Sequence, residues 1–529
     1  MDIRKWIEEG NGILGIELGS TRIKAVLIGE DHAPIASGDH TWENDLVEGV
    51  WTYALEDAWS GIQDAYKNLA LDVKEKYGAE LTSLKGLGVS AMMHGYLPFD
   101  KDGNQLCEFR TWRNTMTGQA AGELTQKLSF NIPQRWSIAH LYQAILNGEE
   151  HVKDIAHLTT LAGYIHEKLS GVNALGVGEA SGMFPIDSEK LCYDEKMAAV
   201  FDGILKEKGI GWTLSDILPK VLNAGDDAGV LTLEGAKLLD ISGKLQPGAI
   251  MAPPEGDAGT GMAATNSVAV RTGNVSAGTS VFSMVVLEKP LSKVYEEIDM
   301  VTTPSGKPVA MVHCNNCTSD INAWANVLKG FSDAAGLTVS MGDIYTSIFK
   351  SAMLGEKDCG GVVNVNFLSG EHVVGLNAGR PMIVRTPEAD MNFSNFSRSL
   401  VLGAISALKV GMRILEKENV QIDSLLGHGG YFKTPGTAQN LLAAAVKSPV
   451  SVMETAGEGG PWGMALLAAY RVNKEEGQTL ESYLSDVVFA NAKSVTVYPD
   501  AQDEIGMDKY TDRFICALDA QKAAVEKIN

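Results

Sequence analysis

The sequence predicts an α/β protein of two related domains, and three observations carry that expectation. Its 529 residues exceed a single domain, at roughly 100–200 residues each. A strand–turn–strand unit occurs twice, about half a chain apart. Strand-like and helix-like segments alternate in both halves, which is the pattern of an α/β layer.

The first unit is Ile13 to Ile28 (ILGIELGSTRIKAVLI), rich in Ile, Leu and Val and broken by Gly19-Ser20-Thr21. It predicts two strands joined by a tight polar turn. From Trp51 to Leu69 the apolar residues Trp51, Leu55, Trp59, Ile62, Tyr66 and Leu69 fall three or four apart, the spacing of an amphipathic helix. Gly86 to Ala91 predicts a strand running into Met92-Met93-His94-Gly95. Ala249 to Ala252 predicts a short strand stopped by Pro253-Pro254, after which Asp257 opens a helix. Val268 to Val286 repeats the opening plan, broken by Gly278-Thr279-Ser280, and the recurrence points to duplication. Leu425 to Gly430 predicts a strand ending in Gly427-His428-Gly429-Gly430, and Thr437 to Val446 a helix. Pro461 to Tyr470 predicts another helix, with Pro in its first turn behind Gly457-Glu458-Gly459-Gly460. No low-complexity linker interrupts the chain, so two domains, 1–267 and 268–529, are expected to face each other across a cleft.

Composition excludes several classes. Apolar residues are 45% and charged residues 21%, ordinary for a folded globular chain, so wholesale disorder, collagen and coiled coil are excluded. The 44 basic against 66 acidic residues leave a net charge of −22, which repels phosphate backbones and anionic membranes. No nucleic-acid partner and no membrane are expected. An anionic ligand needs a local reversal of that field by backbone amides or a metal ion. Six cysteines are too sparse for a disulfide scaffold. Met1 to Gly12 carries no apolar core of a secretory signal, and no apolar run approaches the roughly 18 residues of a membrane span. A cytoplasmic location is expected.

The 56 glycines cluster at the ends of strand-like runs, where a backbone turns tightly or approaches a ligand. Three such turns, Gly19-Ser20-Thr21, Gly278-Thr279-Ser280 and Gly427 to Gly430, combine glycines with hydroxyls and amide N–H groups that can donate to phosphate oxygens. One alone would be an ordinary hairpin; three, two of them placed symmetrically, favour a shared phosphate ligand. Glu17 and Asp257 each adjoin a glycine turn, and paired carboxylates there suit a magnesium ion and a general base, although an Asp before Ala-Gly is equally an N-cap. Cys314-Asn315-Asn316-Cys317 lacks the second pair a zinc site needs and reads as free thiols. No G-x-x-x-x-G-K-[ST] loop, H-E-x-x-H or G-x-S-x-G occurs in the sequence, and no G-x-G-x-x-G follows a predicted strand.

Taken in order, these motifs resemble the FGGY family of carbohydrate kinases, its xylulose-kinase-like members most. Gly15-Ile16-Glu17-Leu18-Gly19-Ser20-Thr21 with Lys24-Ala25 looks like the family's opening phosphate motif, and Met93-His94-Gly95 like its M-H-G. Trp112-Arg113-Asn114 stands where many members carry W-x-D. Ala180-Ser181-Gly182, Gly256-Asp257, Ala277-Gly278-Thr279-Ser280, Leu368-Ser369-Gly370-Glu371, Gly429-Gly430 and the Gly463 to Ala469 segment follow at familiar intervals. The resemblance implies two actin-like, ribonuclease-H-like domains with a central cleft for ATP, Mg2+ and sugar. It makes Asp257 the base and, with Glu17, a metal ligand. It sets Met93, His94, Trp112 and Asn114 on the sugar, and Gly19, Ser20, Thr21, Lys24, Gly278, Thr279, Gly429 and Gly430 on the nucleotide. The chain departs from the family at Glu17 and Asn114, where Asp is usual, at Ala258, where Asn or Gln is common, and at Tyr431-Phe432.

The expected activity is ATP-dependent phosphorylation of a ketose, a pentulose or hexulose, by an enzyme that acts on a small-molecule sugar and can form a homodimer. Two alternatives are a sugar-binding regulator of kinase descent, for which Glu17 and Asn114 speak, and an actin-like ATPase acting on a protein partner, against which Met93-His94-Gly95 speaks.

Overall fold

The computed structural model describes residues 2–453 and 459–528. The chain forms two compact units: Met1–Val268 with Met300–Val309 and Glu458–Asn491, and Ala269–Asp299 with Ala310–Gly457 and Ala492–Asn529.

In the first unit the Ile/Leu/Val-rich opening segment forms β1 (Ile13–Leu18) and β2 (Arg22–Ile28), antiparallel, with Glu17 opposite Lys24. β3 (Pro34–Thr41) extends the hairpin on one side. β4 (Gly86–Ala91) lies parallel to β1 on the other, with Ala91 beside Leu18. The short strands β5 (Ile250–Met251) and β6 (Glu255–Gly256) run parallel to β4, giving the order β5-β4-β1-β2-β3 with β6 also on β4. The parallel strands β1, β4 and β6 therefore end together, and their C-terminal ends carry Gly19, Met93 and Asp257. That edge of an open α/β sheet is where ligands bind.

Helix α1 (Leu55–Tyr77) begins four residues after Trp51, because Val50–Thr52 pairs as a strand with Asp45–Val47. It ends on Gly78 at φ 63°, whose N–H returns to Lys74 O. Its buried face of Ile62, Ala65, Tyr66, Leu69 and Val73 lies on β3, where Gly38 leaves room for the α1 backbone. Helix α2 (Val177–Ala180) is one turn long, and α3 (Asp257–Ala264) starts at Asp257 as the sequence predicts.

The Gly459–Asn473 helix belongs to the first unit, which differs from a single cut after residue 267. The reason is steric. A β-carbon at Gly15 would strike Pro461 O and Ala465, and one at Gly88 would strike Met464, so two glycines on β1 and β4 let this helix close on the sheet. Gly457 and Glu458, read as its approach, lie outside the described residues.

The second unit repeats the plan. β7 (Thr272–Ala277) and β8 (Val281–Val286) form the hairpin around Gly278-Thr279-Ser280. With β9 (Pro308–Cys314), β10 (Ser424–His428), β11 (Val450–Met453) and β12 (Ser494–Val497) they are ordered β9-β8-β7-β10-β11-β12. β10 runs parallel to β7, so the Gly278 and Gly429 turns emerge side by side. The Phe393–Lys417 helix, buried from Asn395 to Lys409, fills the core of this unit.

Candidate active site

The Gly19-Ser20-Thr21 turn is held from behind. Trp42 donates its indole N–H to Gly19 O at 2.7 Å, and Tyr53 donates its hydroxyl to Ser20 O at 2.7 Å. The two rings stack at 4.2 Å. With its carbonyls engaged, the turn has the donor-rich character that suits an anion. Thr21 is exposed, and Gly19 and Ser20 are partly so. Behind the turn stands Glu17, whose carboxyl is pushed up to about 8, first by burial and then by the negative charge of Asp257; Lys24 and the Thr260 hydroxyl oppose that shift.

Asp257 is the first residue of α3, with an N-terminal dipole that favours a carboxylate. Its Oδ1 accepts from Met93 N at 3.4 Å. The side chain keeps solvent access while protein crowds around it, and that crowding raises its carboxyl above the ordinary range.

Met93 and His94 form the adjoining wall. His94 adopts φ 72° and Gly95 φ 101°, a left-handed pair that costs a non-glycine residue energy and is held by its surroundings. The His94 ring is 4% exposed. Nδ1 lies 3.1 Å from Gly182 O, and Nε2 accepts from Arg135 Nε at 3.2 Å. The carbonyl makes Nδ1 the protonated nitrogen. Both ring nitrogens are therefore engaged by protein, and the half-buried Arg135 stands over His94.

Asn114 is placed otherwise than the resemblance implies. It is 2% exposed. Its Oδ1 accepts from Trp51 N at 2.9 Å, and its Nδ2 donates to Trp51 O at 2.8 Å and Thr111 O at 3.1 Å. The amide is a clamp between two backbone segments, because only a side chain with both donor and acceptor fits that pair. Trp112, 39% exposed, is the open residue of the motif.

In the second unit, Gly278 N donates to Ser280 O, while Gly278 O accepts from Thr318 N at 3.0 Å and Thr318 Oγ1 at 2.7 Å. Cys317 N donates to Thr279 O at 2.9 Å. Cys317 and Thr318 thus brace this turn, and the Cys314 and Cys317 thiols are free and buried. Gly429 has φ 102°, and a β-carbon there would strike the Ala277 backbone. Tyr431 is buried and donates its hydroxyl to Val401 O, which accounts for a large residue after the glycine pair.

Trp42, Tyr53, Arg135, Glu255 and Gly460 hold roles that the sequence motifs do not announce. All but Glu255 lie far in sequence from the motifs they serve, and the one local signal was Glu255, an acid immediately before Gly256-Asp257.

Residues 12–243 match the FGGY family of carbohydrate kinases, N-terminal domain, and residues 273–472 match its C-terminal domain. A xylulose kinase of Haemophilus influenzae is 21% identical over 455 residues, covering 83% of this chain and 87% of that protein. The structure of a ligand-bound xylulose kinase from Lactobacillus acidophilus matches with a TM-score of 0.79 at 16% identity, covering 98% of this chain and 100% of the other. A gluconate kinase from the same species matches with a TM-score of 0.78 at 16% identity, again over 98% and 100%. The fold is thereby the two-domain α/β fold of actin-like, ribonuclease-H-like type.

Proposed function

Because the chain belongs to the FGGY family of carbohydrate kinases, we propose that it transfers the γ-phosphoryl group of ATP to a hydroxyl of a ketose, a pentulose or hexulose of xylulose type. The observation that carries this reading is Asp257: a carboxylate at a helix N-terminus, at the end of β6, hydrogen-bonded to the Met93 backbone.

In this reading Asp257 accepts the proton of the attacking sugar hydroxyl. Phosphoryl transfer passes through a loose transition state, so positioning and charge neutralisation supply most of the rate. Gly19, Ser20 and Thr21, with Gly278, Thr279, Gly429 and Gly430, take the phosphates, and Lys24 lends positive charge beside Glu17. Met93 and the Arg135–His94 pair line the sugar side. Among the described residues no cluster of three or more His, Cys, Asp or Glu side chains could hold a metal. Magnesium asks less than that: it keeps several waters and binds through one or two carboxylates plus substrate phosphates. Glu17 and Asp257, two hard oxygen donors close enough that the charge of Asp257 raises the Glu17 carboxyl, fit it and would hold it. The ion would neutralise charge on the β- and γ-oxygens.

The proposal extends to a cytoplasmic location and to the capacity to form a homodimer. Among the described residues no helix is long and apolar enough to cross a membrane. The regulator reading loses Asn114 as support, since that amide serves the fold. A coupled ADP-release screen over ketoses, aldoses, polyols and aldonates tests the proposal. Ketose-dependent release is expected. Sugar binding without release would favour the regulator, and release indifferent to sugar would favour an ATPase with a protein partner.

A further inference from the structure

Helix α2 has an unusual N-terminus. Its N-cap is Gly176, which has no side chain to receive the first N–H groups, and Val177 through Ala180 are all buried. Water cannot satisfy those donors there, and an uncapped buried helix end is costly. The acceptor comes from across the fold. Glu255, 1% exposed, takes the Gly178 N–H on Oε1 at 3.3 Å and the Glu179 N–H on Oε2 at 2.9 Å. Gly176 N adds a bond to Pro254 O at 2.7 Å. The carboxylate sits in a socket of glycines: β-carbons at Gly176 or Gly178 would collide with it, and one at Gly259 would stand 3.1 Å from Oε2.

What lies at the two ends of this link matters for the chemistry. Glu255 is two residues before Asp257, on the strand that pairs Glu255 with Ser90 and Gly256 with Ala91. The other end of α2 runs into Ser181 and Gly182. Ser181 Oγ donates to Gly178 O at 2.6 Å and accepts from Thr302 N at 3.0 Å. Gly182 O is the partner of His94 Nδ1, and a β-carbon at Gly182 would approach that nitrogen to 2.6 Å and the Met93 methyl to 3.0 Å. One buried carboxyl group therefore ties the segment carrying the base to the turn that orients the Met93–His94 wall.

We propose that Glu255 is a positioning residue for phosphoryl transfer, which caps α2 and thereby fixes Asp257 against the Met93–His94 wall. The inference rests on Asp257 being the base. It assigns Glu255 no contact with substrate: its effect passes through α2 and Gly182 to His94, and through Gly256 to Asp257.

Three measurements test it. Glu255→Gln keeps one acceptor and turns an amide N–H2 toward the other donor. In this variant kcat should fall on the order of 10²-fold, the cost of a small misplacement of reacting groups. The sugar KM should rise and the nucleotide KM stay as in the wild type. Gly178→Ala pushes on the same carboxylate from the opposite side and should give the same split. The double variant should lose little more than either single one, since contacting residues are non-additive. Hydrogen exchange followed by mass spectrometry should speed up in residues 176–182 and 92–95 of Glu255→Gln, with the global unfolding midpoint unchanged. Wild-type kcat and exchange in Glu255→Gln would overturn the proposal, as would a parallel rise of both KM values with a lowered midpoint, the mark of a merely structural role. If the wild type turns over no sugar, the kinase reading fails by itself. The exchange arm then decides for Glu255: faster exchange in both segments supports the link, and unchanged exchange removes it.

Discussion

The Glu17 carboxylate lies where a β-carbon on Gly460 would sit. The family commonly has the shorter Asp at the position of Glu17, and the longer acid is accommodated here because residue 460 has no side chain. Glu17 sits at the end of β1 and Gly460 in the first turn of the Gly459–Asn473 helix, so this fit exists only because that helix returns to the first unit.

Gly460→Ala should therefore displace the Glu17 carboxylate and lower kcat on the order of 10²-fold, as misplacement of a group near the chemistry does. Glu17→Asp, introduced into the Gly460→Ala protein, should restore most of that loss by withdrawing the carboxylate by one methylene. Steady-state kinetics of the two single variants and the double variant would check it. A double variant as poor as Gly460→Ala alone would show that the steric fit is not what limits residue 460.

Asp257→Asn should leave nucleotide and sugar binding nearly intact while kcat falls about 10²–10⁴-fold, the usual span for a general base. Calorimetry for binding and ADP release for turnover separate the two effects. Half of wild-type turnover in this variant would remove Asp257 from the role.

Asn114→Asp should act on stability before it acts on sugar choice. The acid cannot donate to Trp51 O and Thr111 O, and its charge would face two carbonyls. Leaving such buried groups unsatisfied costs about 1–3 kcal/mol. Denaturation of this variant should show that loss, with the ranking of sugars unchanged. A stable variant with an altered ranking would return Asn114 to the sugar side.

Local chemistry explains which parts of the site were legible in the sequence. Gly19-Ser20-Thr21 and Gly278-Thr279-Ser280 stand out because a turn between two apolar strands needs small polar residues whatever the rest of the fold does. Asp257 stands out as a helix opening after a proline stop. The Gly459–Asn473 helix was legible as a helix but not as part of the first unit, because it is buried on every side and has no polar face to show which layer it joins. Glu255, Arg135 and Gly460 draw their roles from partners many residues away, and periodicity holds no trace of such pairings. The Asn114 amide is engaged in the same long-range way: it answers the Trp51 backbone, a partner 63 residues away.

His140 serves neither the candidate site nor the α2 cap. It is fully buried, neither ring nitrogen has a hydrogen-bond partner, and its ring stacks on Tyr96 at 6.4 Å. Burial, with a smaller push from the Arg110 charge, drives its imidazole down to about 3. The unfolded chain takes up this proton near the ordinary 6.5, and the folded chain resists until about 3. Below 6.5 the unfolded state thus binds more protons, so the stability tied to His140 is whole above that pH and is lost as pH falls toward 3. At pH 5 the loss reaches about 2 kcal/mol, from 1.36 kcal/mol for each unit of displacement. His166, buried and driven down to about 4, adds to the same acid slope, while Glu371, buried and pushed up to about 7, acts in the opposite direction. His140→Phe keeps the ring's shape and removes two unpaired nitrogens, so it should be neutral or stabilising at pH 7.5. It should also lack this share of the acid loss, so the gap in denaturation midpoint between variant and wild type should widen from pH 7.5 to pH 5. A gap of equal size at both values would mean that His140 takes up its proton alike in the folded and unfolded chain.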